Sequence, residues 1–120
     1  LVLTVKDINE TIQFYSSVMG MEKVEFGEGR IALSFGQQKI NLHQLGKEFE
    51  PKAQNVKSGS ADLCFIIDLP VEHALHDLES KGIKVIDGPV QRTGALGKIK
   101  SVYFRDPDGN LIEVSNYENV

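Results

Sequence analysis

The sequence predicts an α+β fold in which one βαβββ unit is written twice, giving two modules whose sheets face each other across a cleft. Three observations carry this. Two helix-ending glycines, Gly20 and Gly82, stand 62 residues apart and open the similar strings Gly20-Met21-Glu22-Lys23-Val24 and Gly82-Ile83-Lys84-Val85. Lys39-Ile40-Asn41-Leu42 finds a counterpart in Leu111-Ile112-Glu113-Val114. Tyr103 to Tyr117 reads as a hairpin, because Asp106-Pro107-Asp108-Gly109 supplies a preset φ, a side-chain cap and a residue tolerant of positive φ between two strand-forming runs. Two copies are too few for a solenoid.

Leu1 to Val5 predicts a strand. Asp7 and Glu10 form a capping-box pattern, and Ile8, Ile12, Tyr15 and Met19 make one apolar helical stripe. Gly20 is placed to end that helix in a left-handed conformation. Met21–Phe26, Arg30–Phe35 and Lys39–His43 predict short strands separated by Gly27, Gly29 and Gly36. Residues 45–59 are polar and mixed and read as a linker.

The pattern then restarts. Ala61–Ile67 predicts a strand, and Pro70 suits the first position of a helix whose stripe is Val71, Ala74, Leu75 and Leu78. Gly82 ends it. Ile83–Ile86 predicts a strand, Asp87–Gly97 a glycine-rich loop, and Ile99–Tyr117 the closing hairpin. The expected organisation is a single domain over 1–120, with a first module at 1–44, the linker at 45–59 and a second module at 60–120.

At 120 residues, 41% hydrophobic and 25% charged, the chain has the composition of one globular domain with a real core. A net charge of −4 argues against a general nucleic-acid footprint. Cys64 is the single cysteine and cannot form an internal disulfide, which fits a reducing, cytoplasmic setting. No apolar run reaches membrane-spanning length and no signal peptide is read, so no membrane association is expected. Because the chain opens inside an apolar strand, a preceding segment is expected to have been trimmed.

Glu113 is the odd residue. In an alternating strand it shares a face with Leu111 and Ser115, opposite Ile112 and Val114. A carboxylate there needs a wet, paired or metal-bound environment. His43 lies two residues from Asn41 on the same strand face, and could serve as a ligand, a general acid/base near neutral pH or a hydrogen-bonded cleft histidine. His73 and His76 sit among Glu72, Asp77 and Glu79 and read as a solvated helix face. Cys64 shares a face with Asp62 and reads as a buried structural thiol. Arg92 opens a loop with no Walker pattern, suited to a lid or an anion contact. Arg105 and Asp106 read as structural.

Phe14-Tyr15 with Gly20-Met21, and Phe104-Arg105-Asp106-Pro107-Asp108-Gly109-Asn110 running into Leu111-Ile112-Glu113, resemble the vicinal oxygen chelate superfamily, the glyoxalase, bleomycin-resistance and extradiol-dioxygenase group. Asn41-Leu42-His43, the string from Gly46 to Ala53, and Arg92-Thr93-Gly94-Ala95 are similar to the subgroup of glyoxalase domain-containing protein 5 and its bacterial relatives.

The resemblance implies a half-open, eight-stranded barrel-like cleft holding a divalent metal such as Zn, Ni, Mn, Fe or Mg. Its ligands would come from the first and last strand of each module: Glu113 and Asp62 here, with His43 as a possible third. The first-strand ligand would lie immediately before Leu1. Asp62 stands where the family most often has histidine, and Asn41 where some members have a carboxylate. The implied function is a metal-dependent lyase or isomerase acting on a small substrate that chelates the metal through adjacent oxygens. Glu113 and His43 are the expected catalytic residues, with Asn41 and Arg92 for substrate. An extradiol-type dioxygenase and a non-catalytic, drug-sequestering binding module are the alternatives. The family analogy also implies a homodimer.

Overall fold

A computed structural model describes residues 1–118; the last two positions of the second expected module lie outside them. The chain forms two compact units, Leu1–Ala61 with Pro107–Gly109, and Asp62–Asp106 with the segment from Asn110 on. The α+β class and the doubled βαβββ order both hold.

The first unit carries β1 (Val2–Val5), α1 (Ile8–Met19), β2 (Glu22–Phe26), β3 (Arg30–Phe35) and β4 (Gln38–Gln44). Its sheet runs β1-β4-β3-β2, with β1 parallel to β4 and the other pairs antiparallel. Asp7 caps α1 by accepting the Glu10 N–H at 3.1 Å, and Gly20 ends it at φ 69°. The core gathers Leu3, Val5, Leu33, Ile40 and Leu42 with Tyr15 of the helix. Thr11 is fully buried beside the expected stripe, and its hydroxyl finds no partner among the described residues. Residues 45–59 form no regular element, yet they are anchored: Glu48 accepts the Gly46 N–H and pairs with Lys52 at 3.0 Å. The turn residue Asp108 belongs to this unit, its Oδ1 accepting the Lys6 N–H at 2.9 Å.

The second unit carries β5 (Asp62–Ile66), α2 (Val71–Ser80), β6 (Asp87–Gly94), β7 (Gly97–Arg105) and β8 (Leu111–Tyr117), in sheet order β5-β8-β7-β6. Helix α2 packs on β7 and β8. Val71, Ala74 and Leu78 are buried with Val102, Phe104, Ile112 and Val114. The register repeats between the units: Val2 stands opposite Asn41 in one, and Cys64 opposite Glu113 in the other.

Two expectations need correction here. Ile83–Ile86 is not a strand; its tie to the sheet among the described residues is the Ile86 N–H donated to the Tyr103 carbonyl at 2.8 Å. Asp87–Gly97 is not a loop but β6 followed by a tight turn into β7. Gly88 and Pro89 read as breakers, but β6 is an edge strand, where proline is tolerated, and the ladder shifts register between Asp87 and Val90. Gly88 also lies so near β7 that a Cβ would stand 2.3 Å from the Ser101 carbonyl oxygen. A smaller correction concerns Pro70, which sits at the N-cap of α2 rather than inside the helix.

Candidate functional site

Alternation along β5, β8 and β7 puts the apolar partners of α2 on one sheet face and a polar row on the other. Cys64, Glu113 and Tyr103 lie side by side across the three strands. The next row on that face is Ile66, Ser115 and Ser101. Ser101 and Ser115 are fully buried. Ser101 Oγ donates to Glu113 Oε2 at 2.6 Å, and Ser115 Oγ lies 3.3 Å from the same oxygen and 2.7 Å from Ser101 Oγ. The Cys64 thiol touches Ser115 Oγ at 3.5 Å. Glu113, half-buried, is thus a carboxylate held by hydroxyl donors inside a sheet.

Asp62 occupies the row on the other side, opposite Leu111, and is exposed. Cys64 is exposed, not the buried structural thiol expected, because its strand face is turned away from the α2 core. Partial desolvation still pushes the thiol up, the Ser115 contact opposes this, and Glu113 and Asp62 raise it further. Burial likewise holds the Tyr103 hydroxyl high, opposed by Arg92 and reinforced by Glu113. Arg92 lies on β6. Its Nε donates to the Tyr103 hydroxyl at 3.2 Å, and its other nitrogens reach the Gln91 carbonyl at 3.0 Å and Asp87 at 3.3 Å.

In the first unit, Asn41 lies between Val2 and Ala32, at the position corresponding to Glu113. Its Oδ1 is buried and has no hydrogen-bond partner among the described residues. His43 is 7% exposed and meets Phe49 edge-on, with ring centres 5.6 Å apart. The Arg30 guanidinium stacks over the same Phe49 ring at 4.5 Å. His73 and His76 stand exposed on α2.

The structure therefore gathers Glu113 and Asp62 on one face of the second sheet, and Asn41 and His43 on one face of the first. Sequence reasoning missed Ser101, Ser115, Tyr103 and Phe49. The signal for Ser101 and Tyr103 was available, since both alternate with Val102 and Phe104 and so share a face opposite the core.

Two carboxylates on one face are hard oxygen donors, which suits a hard divalent ion. Among the described residues they do not join a third His, Cys, Asp or Glu into a ligand group. In donor type the two carboxylates fit a divalent metal.

A family model described as Glyoxalase/Bleomycin resistance protein/Dioxygenase superfamily matches residues 1–114. Virulence protein STM3117 of Salmonella typhimurium is 56% identical over 117 residues, 98% of this chain and 81% of that protein. The solved structure of an integron cassette protein from the mobile metagenome of V. cholerae matches at TM-score 0.95 and 65% identity, covering 98% of this chain and 91% of its own. More distant are metallothiol transferase FosB of Staphylococcus epidermidis, 27% identical over 92% of this chain and 75% of that protein, and the structure of lactoylglutathione lyase from Agrobacterium tumefaciens, 25% identical at TM-score 0.72 over 97% and 90%.

Proposed function

The chain belongs to the glyoxalase/bleomycin resistance protein/dioxygenase superfamily, and on that premise we propose a glyoxalase-like, metal-dependent lyase or isomerase acting on a small molecule with two adjacent oxygens. The observation that supports this is Glu113, a mid-strand carboxylate held at 2.6 Å by a buried serine. A structural strand position would be cheaper to fill with an apolar side chain. A divalent metal, when bound, supplies Lewis-acid polarisation of the substrate oxygens. Glu113 and Asp62 are the oxygen donors this chain offers to it.

The remaining residues bind and orient. Tyr103 accepts from Arg92 and stands beside Glu113, with which its hydroxyl is hydrogen-bonded, so it helps orient that carboxylate. Arg92 fixes that phenol and retains N–H groups for an anionic substituent. Asn41 Oδ1, buried without a partner among the described residues, suits a substrate N–H or O–H. His43 is the first unit's acid/base group. The names of the two distant relatives, a metallothiol transferase and a lactoylglutathione lyase, fall in the same chemical territory. A cytoplasmic homodimer is part of the same reading.

Asn41 at the place of Glu113 favours one other reading, a small-molecule-binding module without turnover. Elemental analysis of the full-length protein after loading with Mn²⁺, Ni²⁺, Zn²⁺ or Fe²⁺, beside Glu113→Ala, separates them. Near-stoichiometric metal that vanishes in the variant supports the enzyme. Absence of metal under every loading condition overturns it in favour of the binding module.

A further inference from the structure

Hydroxyl bookkeeping around Glu113 points to a directional device. A serine hydroxyl has one proton to give. Ser101 gives its proton to Glu113 Oε2 at 2.6 Å, the shortest contact of the group. Ser115 Oγ lies 2.7 Å from Ser101 Oγ and donates to the same Glu113 oxygen at 3.3 Å, so both hydroxyls are drawn to one carboxylate oxygen. The Cys64 thiol touches Ser115 Oγ at 3.5 Å, a contact in which either group can donate. Two serine hydroxyls thus converge on one oxygen of the carboxylate.

Both serines are completely buried, at a cost that an alanine or valine would not incur. The corresponding positions of the first unit carry different residues. The residue corresponding to Ser115 there is His43, and Glu113 is replaced by Asn41.

We propose that Ser101 and Ser115 are positioning residues that lock one oxygen of Glu113 within the sheet and so present the other to the bound metal or substrate. This rests on the reading of Glu113 as the functional carboxylate. Ser101 is the primary clamp, and Ser115 supports it on the same oxygen. Neither touches the reacting atoms. Partners that orient a ligating carboxylate commonly change metal affinity by about 10- to 100-fold when removed.

The test uses the full-length protein with Mn²⁺ alone as probe, comparing wild type, Ser101→Ala, Ser101→Thr, Ser115→Ala and Glu113→Gln. Two quantities are read: Mn²⁺ affinity by calorimetry, and the Glu113 side-chain rotamer distribution by NMR couplings in the metal-free protein. The expected result is one Glu113 rotamer in wild type and Ser101→Thr, averaging in Ser101→Ala, and partial averaging in Ser115→Ala. Mn²⁺ affinity in Ser101→Ala falls about 10-fold or more and is restored by threonine. A single unchanged rotamer in Ser101→Ala overturns the clamp, whatever the metal does. Averaged rotamers in Ser101→Ala, with Glu113→Gln leaving Mn²⁺ affinity unchanged, uphold the clamp and sink the metal-ligand reading of Glu113 instead.

Discussion

Asn116 Oδ1 accepts the backbone N–H of Val71 at 2.8 Å, so a strand residue caps a helix 45 positions away in sequence. Pro70 sits at the N-cap of α2 and has no side chain able to accept there. The Asn116 amide also donates to the carbonyls of Ile67 and Leu69, both at 3.0 Å. Gln44 on β4 does the matching work in the first unit, accepting from Ile8 N–H at 3.2 Å and donating to the Lys6 carbonyl at 2.5 Å. Each last strand thus latches its own helix through one side-chain amide.

Asn116→Ala is expected to destabilise the protein by about 2 kcal/mol, the upper end for a lost cap, because two carbonyls lose a donor as well. Gln44→Ala should cost less, since Asp7 still caps α1. Urea unfolding of both variants checks the order; equal losses would contradict the latch.

The closing turn depends on a buried pair. Asp106 accepts the Asn110 N–H at 2.9 Å and its side-chain amide at 2.8 Å. Asp106→Ala should cost about 2 kcal/mol, because two buried donors lose their acceptor. Thermal unfolding reads this, and a shift within error of wild type would count against it.

Gly88→Ala is the harshest single change on the sheet. Its φ of 106° and the Ser101 carbonyl 2.3 Å from a would-be Cβ leave no room. A loss of about 3 kcal/mol is expected. Since Ser101 is the residue displaced, Glu113 order should fall with it, as the NMR couplings above would register.

Cys64, though exposed, should be a slow nucleophile at neutral pH, because partial desolvation foremost and two nearby carboxylates hold its thiol above the ordinary range. A raised value means the reactive thiolate forms only at higher pH. Glu113→Gln removes one raising cause, so the midpoint of iodoacetamide reactivity should move down in pH. An upward or absent shift would refute the coupling.

Phe49 shields His43 and stacks under Arg30. Phe49→Ala should lose about 1 kcal/mol and speed His43 modification by diethylpyrocarbonate. Unchanged modification would show that the ring is not the cover.

The sequence by itself determined the doubled βαβββ order, both helices and the strand face on which Glu113 lies, opposite Ile112 and Val114, because periodicity and turn chemistry are local properties. Asp7, Gly20 and Gly82 announce helix ends within a few residues of themselves. Local reading failed at Asp87–Gly97, where the ladder partner that makes a strand of a Gly-Pro sequence is β7 and the edge position tolerates it. It also failed at Ser101, Ser115 and Asn116. A serine or asparagine in a strand carries no local mark of its partner. Its role follows from cross-strand register and a helix start far away in the chain, so only the tertiary structure decided that Glu113 is held and that Pro70 is capped from β8.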